Sequence, residues 1–196
     1  MQTIYKHNKH YTHVVNQKTE NLTVTLPSRA GDVNILRGID LSIAAGETVG
    51  LIGPSGSGKT TLLRNVMGLM EPDSGYVKLF GQNLAEVREQ VSYVPQRESV
   101  DWNFPASVRD VVEMGRYRKN KLFRRLSKED HQIVSESLER VGIFDLSDRQ
   151  ISQLSGGQQQ RVFIARALAQ KANLYLMDEP FVGVDAATEE AILTLL

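Results

Sequence analysis

Gly53-Pro54-Ser55-Gly56-Ser57-Gly58-Lys59-Thr60 fits the pattern G-x-x-x-x-G-K-[ST] at every required position. A loop of this kind turns successive backbone N–H groups inward around phosphate oxygens, which requires glycines free of Cβ hindrance. Its flanks agree with that reading. Thr48 to Ile52 is a short apolar run suited to a strand, and Leu62, Leu63, Val66, Met67 and Met70 recur at helical spacing behind the loop. The order strand, loop, helix aims the positive end of the helix at the anion and predicts the start of a βαβ unit. Lys59 stands where an ammonium neutralises β- and γ-phosphates, and the Thr60 hydroxyl where it holds Mg²⁺, with Thr61 completing the nucleotide-contacting set. The dinucleotide fingerprint fails, because Gly56-Ser57-Gly58 would need a glycine where Thr61 stands.

A phosphate loop needs a partner for its metal, and Leu174-Tyr175-Leu176-Met177-Asp178-Glu179 supplies one as an apolar strand ending in two carboxylates. Asp178 is expected to reach the metal, and Glu179 to polarise the attacking water. Between these motifs, Ile39, Leu41 and Ile43 alternate as in a strand with one buried face. Asp73-Ser74-Gly75 turns into a strand expected over Tyr76 to Phe80, and Val91 to Val94 reads as another. From about 98 to 160 the pattern becomes helical: Ser127 and Asp130 form a capping box ahead of Ile133, Val134, Leu138 and Val141, and Gly142 ends that helix. Gln158 to Gln170 is expected to be a further helix, and a last one begins near Ala187 and is still running at Leu196, which predicts a C-terminal truncation.

Composition sets the outer limits. With 41% apolar and 23% charged residues among 196, the chain has the make-up of a folded domain with a sizeable core. The 23 basic and 23 acidic residues cancel, so no global field recommends nucleic acid as a partner. The absence of cysteine excludes disulfides and thiolate chemistry. No apolar stretch approaches the ~18 residues of a membrane span. Residues 1–20 are polar and are expected to be a flexible lead-in; the spacing of His7, His10 and His13 could let them share a metal on one helical face, but with no carboxylate or fourth histidine nearby a solvated tail is the better reading and no metal site is assigned there.

Leu154-Ser155-Gly156-Gly157-Gln158 matches the LSGGQ motif, and on that motif together with the phosphate loop and the Asp178-Glu179 strand the chain resembles the ATP-binding subunits of ABC transporters over about residues 21 to 196. The resemblance implies a P-loop NTPase (RecA-like) α/β core over 21–97 and 161–196, with an antiparallel β edge, and an α-helical subdomain insert over 98–160. It implies ATP as substrate and Mg²⁺ as cofactor. Ser155, Gly156, Gly157 and Gln158 would offer a helix N-terminus to the γ-phosphate held by another protomer. Gln96, after Ser92-Tyr93-Val94-Pro95, looks like the Q-loop glutamine that contacts metal and attacking water, and Asp185 looks like the D-loop aspartate that crosses the dimer interface. Two departures stand out. Leu26 occupies the place of the aromatic that stacks on adenine in the family, and the switch histidine beyond the D-loop is absent, His131 being the only histidine after the phosphate loop.

The run from Tyr93 to Pro105, with Asp101-Trp102-Asn103-Phe104, resembles the corresponding segment of manganese, zinc and iron importers, as does Asp178-Glu179-Pro180-Phe181-Val182-Gly183-Val184-Asp185. That implies a peripheral subunit on the cytoplasmic face of the membrane, paired as a homodimer or with another ATPase subunit, working through transmembrane permease subunits and an extracytoplasmic metal-binding protein. Two readings of Trp102 and Phe104 stay open, a surface receiving the permease or the core of the insert. The basic run Arg116, Arg118, Lys119, Lys121, Arg124, Arg125 is read first as a solvated face and second as a contact with lipid headgroups or permease. Alternatives to metal import are a nucleotide-binding module without turnover, motivated by the missing histidine, and an ABC ATPase for another substrate.

Overall fold

The computed structural model describes residues 3–8, 17–29, 31–97, 100–117 and 125–181. They fall into two compact units, Met1–Arg88 and Glu89–Leu196.

The first unit is built on β2 (Gln17–Ser28) and β3 (Gly31–Ile43), a long antiparallel hairpin in which Leu22 faces Ile39, Val24 faces Leu36 and Leu26 faces Val33. Leu22, Val24 and Leu36 are fully buried, while Ile39, Leu41 and Ile43, expected to alternate onto a core, are half-buried with Asp40 and Ser42 exposed between them. The segment β4 (Glu47–Ile52) leads into the glycine loop and α1 (Lys59–Val66), whose Leu62, Leu63 and Val66 are buried. Beyond α1 the chain turns at Asp73 into β5 (Ser74–Lys78), which lies antiparallel to β2. The strand that follows α1 is therefore not the second strand of the expected βαβ unit: β5 is taken up as an antiparallel neighbour of β2. The β5 strand also ends earlier than Phe80, because Leu79 and Gln82 exchange backbone hydrogen bonds across a tight turn in which Phe80 takes φ 54°. A short helix, α2 (Leu84–Val87), completes the unit.

The polar lead-in is corrected as well. Thr3–Asn8 form β1, antiparallel to β4 with Ile4 opposite Leu51, and Gln17 to Glu20 already belong to β2. A ladder is carried by backbone groups, so a polar stretch joins a sheet once it finds an unpaired edge.

The second unit holds a parallel pair, β6 (Val91–Val94) and β7 (Leu174–Met177), with Val94 opposite Met177. Between them run α3 (Val108–Glu113), α4 (Lys128–Arg140) and α5 (Gly156–Gln170). The α5 helix is buried on most of its circumference, Gln159 and Gln160 included: Val162, Ile164, Ala165 and Ala169 have no exposed surface, and Val108, Val112, Val134 and Leu138 of α3 and α4 join the same core. Each helix opens on a reciprocal capping box, Ser107 with Asp110, Ser127 with Asp130, and Ser155 with Gln158. The last box starts α5 at Gly156, two residues ahead of the start expected from sequence. Gly115, beside α3, packs so closely on Arg166 O of α5 that a Cβ there would collide with backbone.

Arg116 departs from the solvated-face reading of the basic run. It donates to Asp130 Oδ1 from Nε at 2.8 Å and to Ala169 O from Nη1 at 2.8 Å, with its side chain only 10% exposed. Hydrogen bonds from Ser127, side chain first and then backbone, with help from Arg116, hold the Asp130 carboxyl well below the usual carboxylate range. That stabilisation is complete above the unfolded-state value of about 3.9 and is lost as pH falls through the depressed native one. The part of the run from Arg118 to Arg124 and the helix expected near Ala187 lie outside the described residues.

Candidate functional site

In the first unit the phosphate loop is shaped by two left-handed glycines, Gly56 at φ 78° and Gly58 at φ 91°. Gly58 is the N-cap of α1, and a Cβ on it would meet Ile35 and Leu36 of β3 at 3.1 Å, so the loop rests directly on the β2–β3 hairpin. A Cβ on Gly53 would stand 2.6 Å from Ser57 Oγ, whereas the same atom on Gly56 would meet nothing within 4 Å. The loop is thus tight at its base and open at its lip, as a cradle for an anion has to be. Ser57 N donates to Pro54 O at 3.2 Å, which closes the turn. Lys59 Nζ donates to Gly53 O at 2.8 Å and to Pro54 O at 3.1 Å, lying over the loop's own carbonyls. Ser55 is exposed, Thr60 and Thr61 are half-buried in the first turn of α1, and no acidic residue occupies that turn to compete with an anion. Leu26 and Val33 face each other two residues along β3 from Ile35, and Val33 is exposed.

In the second unit the parallel register decides which groups meet. Val94 and Met177 are partners, so Gln96 and Glu179 each lie two residues beyond the paired ends, and Gln96 Nε2 donates to Glu179 Oε2 at 3.0 Å. Glu179 takes φ 51°, a left-handed conformation that costs an ordinary residue about 1 kcal/mol and turns its carboxylate outward. Asp178, one residue earlier, is tucked in: it is 2% exposed and its N–H donates to Val94 O at 3.0 Å. The pair of acids read from sequence therefore divides into one buried and one exposed group. Ser155 caps α5, accepting from Gln158 N at 3.4 Å while its own N–H donates to Gln158 Oε1 at 2.9 Å. Gly156 and Gly157 follow as the first helical residues, half-buried.

Sequence reasoning left Trp102 and Phe104 open, and they part company. Trp102 stacks edge-on against Phe163 of α5, with ring centroids 5.1 Å apart, and its Nε1 donates to Arg97 O at 3.0 Å. Phe104 is 53% exposed. The Arg166 guanidinium lies over the Phe163 ring, 4.3 Å from its centroid, and burial pushes it below the usual arginine range. Arg97 was missed: nothing in its sequence position marks it, but its guanidinium lies against Gly156. Asp185 lies outside the described residues, as do His10 and His13, while His7 falls in β1.

The family model described as ABC transporter matches residues 36–182. This chain belongs to the ABC transporter family. The matched stretch holds the phosphate loop, Gln96, the Ser155 motif and both carboxylates; it stops short of Asp185. Among curated relatives, the chain is 50% identical over 177 residues to the manganese transport system ATP-binding protein MntB of Bacillus subtilis (strain 168), covering 90% of this chain and 69% of that protein. It is 53% identical over 162 residues to the zinc transport system ATP-binding protein TroB of Treponema pallidum (strain Nichols), covering 83% of this chain and 61% of the other. The dimeric structure of a bacterial ABC transporter cassette superposes with TM-score 0.75 at 29% identity, over 91% of this chain and 80% of that one. The same cassette in a dimeric post-hydrolysis state bound to ADP and Pi gives the same figures. The fold is that of a P-loop NTPase cassette, and the cassette is an ATPase domain that binds nucleotide. Among the described residues no helix is long and apolar enough to cross a membrane.

Proposed function

We propose that this ABC cassette is the ATP-hydrolysing subunit of a transporter that imports a transition-metal ion, acting as a dimer on the cytoplasmic face of the membrane through separate permease subunits and fed by an extracytoplasmic metal-binding protein. The core would comprise 21–97 and 161–196, with Thr3–Asn8 and Gln17 to Glu20 joining its strands, and the stretch 98–160 the helical subdomain. The observation that supports turnover most directly is the Gln96–Glu179 hydrogen bond, which couples the residue that senses the permease to the one that orients water. Metal import rests on the relatives, whose names assign manganese and zinc transport to them.

The roles follow from charge and reach. The amides from Gly53 to Gly58 and the positive end of α1 cradle the phosphates, and Lys59 leaves its carbonyl partners to neutralise the β- and γ-oxygens. Glu179 orients a water for in-line attack on the γ-phosphate, and Gln96 holds that carboxylate in place. Ser155, Gly156, Gly157 and Gln158 of the opposite protomer stabilise the charge that develops on the γ-oxygens, and Asp185 lies across the same interface. The donor set of the Thr60 hydroxyl, the Asp178 carboxylate and the Gln96 amide oxygen is all hard oxygen and fits Mg²⁺. When bound, Mg²⁺ neutralises phosphate charge. The chain's balance of 23 bases and 23 acids supplies no global field toward nucleic acid.

The test is Mg²⁺-dependent phosphate release by the chain with ATP-driven dimerisation followed on the same samples. Turnover with dimerisation supports the reading; failure to bind ATP overturns it. A further outcome concerns the base. Leu26 and Val33 offer the adenine only an aliphatic face, so Leu26→Tyr, by adding a ring, is expected to tighten ATP binding about fivefold, about 1 kcal/mol. Titration with a fluorescent ATP analogue reads it, and an unchanged affinity would remove the hairpin from the base-binding site.

A further inference from the structure

Arg97 follows Gln96 directly in the chain, and the two side chains serve different partners. Gln96 reaches Glu179. Arg97 turns to the start of α5: its Nε donates to Gln159 Oε1 at 3.0 Å, and its guanidinium carbon is 3.0 Å from where a Cβ on Gly156 would stand. Gln159 is 5% exposed and passes the contact on, its Nε2 donating to Ile151 O at 3.2 Å in the turn that precedes the Ser155 motif, while its own N–H donates to Ser155 O at 2.9 Å. The backbone of Arg97 is fixed from the other side, since its carbonyl accepts both from Trp102 Nε1 and from Val100 N. A flat cation with three donor directions, seated on a glycine and anchored through its own carbonyl, holds a particular approach of the chain into α5.

We infer that Arg97 is a positioning residue that ties the Ser155-Gly156-Gly157 segment to Gln96 and Glu179, so that the phosphate-binding end each protomer offers its partner is set by the state of its own water-orienting carboxylate. The inference deepens the ATPase reading and rests on it. It assigns Gly156 a second role: besides exposing an amide, it makes room for the guanidinium. Coupling of this kind is reciprocal: a shift at the Ser155 end bears on Gln96 as a shift at Gln96 bears on the Ser155 end.

Arg97→Ala, Arg97→Lys and Gln159→Met test it beside the parent chain. The phosphate loop is untouched, so ATP affinity of the protomer is expected to stay within about twofold, while kcat falls about tenfold to a hundredfold, since a displacement of an ångström at a positioning group has that effect. The Hill coefficient for ATP should fall toward one. Gln159→Met keeps the volume and removes the acceptor, and it should reproduce the loss if folding is unchanged by thermal melt. Lysine supplies a charge without a plane, so Arg97→Lys should recover only a fraction of kcat. Independently of nucleotide, amide exchange at Gly156 to Gln159 is expected to speed up about tenfold in Arg97→Ala. A parent that turns over, beside variants with parental kcat and parental exchange, would overturn the inference alone. Full recovery by Arg97→Lys would also overturn it, because charge and not placement would then be what matters. A parent that fails to bind ATP sinks the ATPase reading, and the exchange measurement then judges the Arg97 tie by itself.

Discussion

Glu179→Gln is expected to leave ATP binding intact and to lower phosphate release by about a thousandfold, trapping the dimer. An amide is the same size as the carboxylate and still presents an oxygen to Gln96 Nε2, so the 3.0 Å hydrogen bond that places the group survives the change. What is lost is the negative charge that polarises water and accepts its proton, a contribution of about 10²- to 10⁴-fold in positioned general-base catalysis. The left-handed backbone at φ 51° is no harder for glutamine than for glutamate, so stability should move by less than about 0.5 kcal/mol. Phosphate release and light scattering with ATP and Mg²⁺ read both halves of the prediction. Residual turnover above a third of the parent's rate would mean that another residue orients the water, and Gln96 would then be bonded to the wrong partner for the mechanism given above.

The parts of the cassette that were legible in the sequence are those where chemistry leaves one residue type. The phosphate loop could be read because its turns need glycine, and the φ values of Gly56 and Gly58 bear that out. The Ser127–Asp130 box could be read because few side chains reach back to a helix's first amides, and both of its hydrogen bonds form. Where the fold depends on which strand edge is unpaired, the sequence is silent: Thr3–Asn8 looks like a polar tail and pairs with β4, and β5 reverses onto β2 although α1 precedes it. The aromatic pair is instructive for the same reason. Trp102 and Phe104 lie two apart on a segment without regular structure, where no period says which one turns inward, and only the Phe163 ring and the Arg97 carbonyl decide it. Arg97 itself was illegible because its importance lies in a contact sixty-two positions away. The division between Asp178 and Glu179 was half visible. That two acids end the strand is a matter of sequence; that one is buried and the other turned out comes from the backbone at Glu179.

Lys59→Ala is expected to lose ATP affinity by about a hundredfold and to bring turnover below detection. The ammonium lies 2.8 Å from Gly53 O and 3.1 Å from Pro54 O, so it is already held at the loop when it takes up phosphate. Two unit charges 4 Å apart interact by about 4 kcal/mol in an effective dielectric of 20. Part of that is offset by stripping water and the two carbonyls from the ammonium, which leaves about 2 to 3 kcal/mol for binding, or about 30- to 150-fold. The effect on folding should be small, because the bond to Pro54 O is exposed and water can replace both. Arginine is not expected to rescue: its planar fork is broader than the compact ammonium that reaches both Gly53 O and Pro54 O. Titration of parent, Lys59→Ala and Lys59→Arg with a fluorescent ATP analogue separates the cases. If Lys59→Ala binds within threefold of the parent, the phosphates are held by the loop amides and the α1 terminus alone, and the lysine's contacts with the two carbonyls are its whole function.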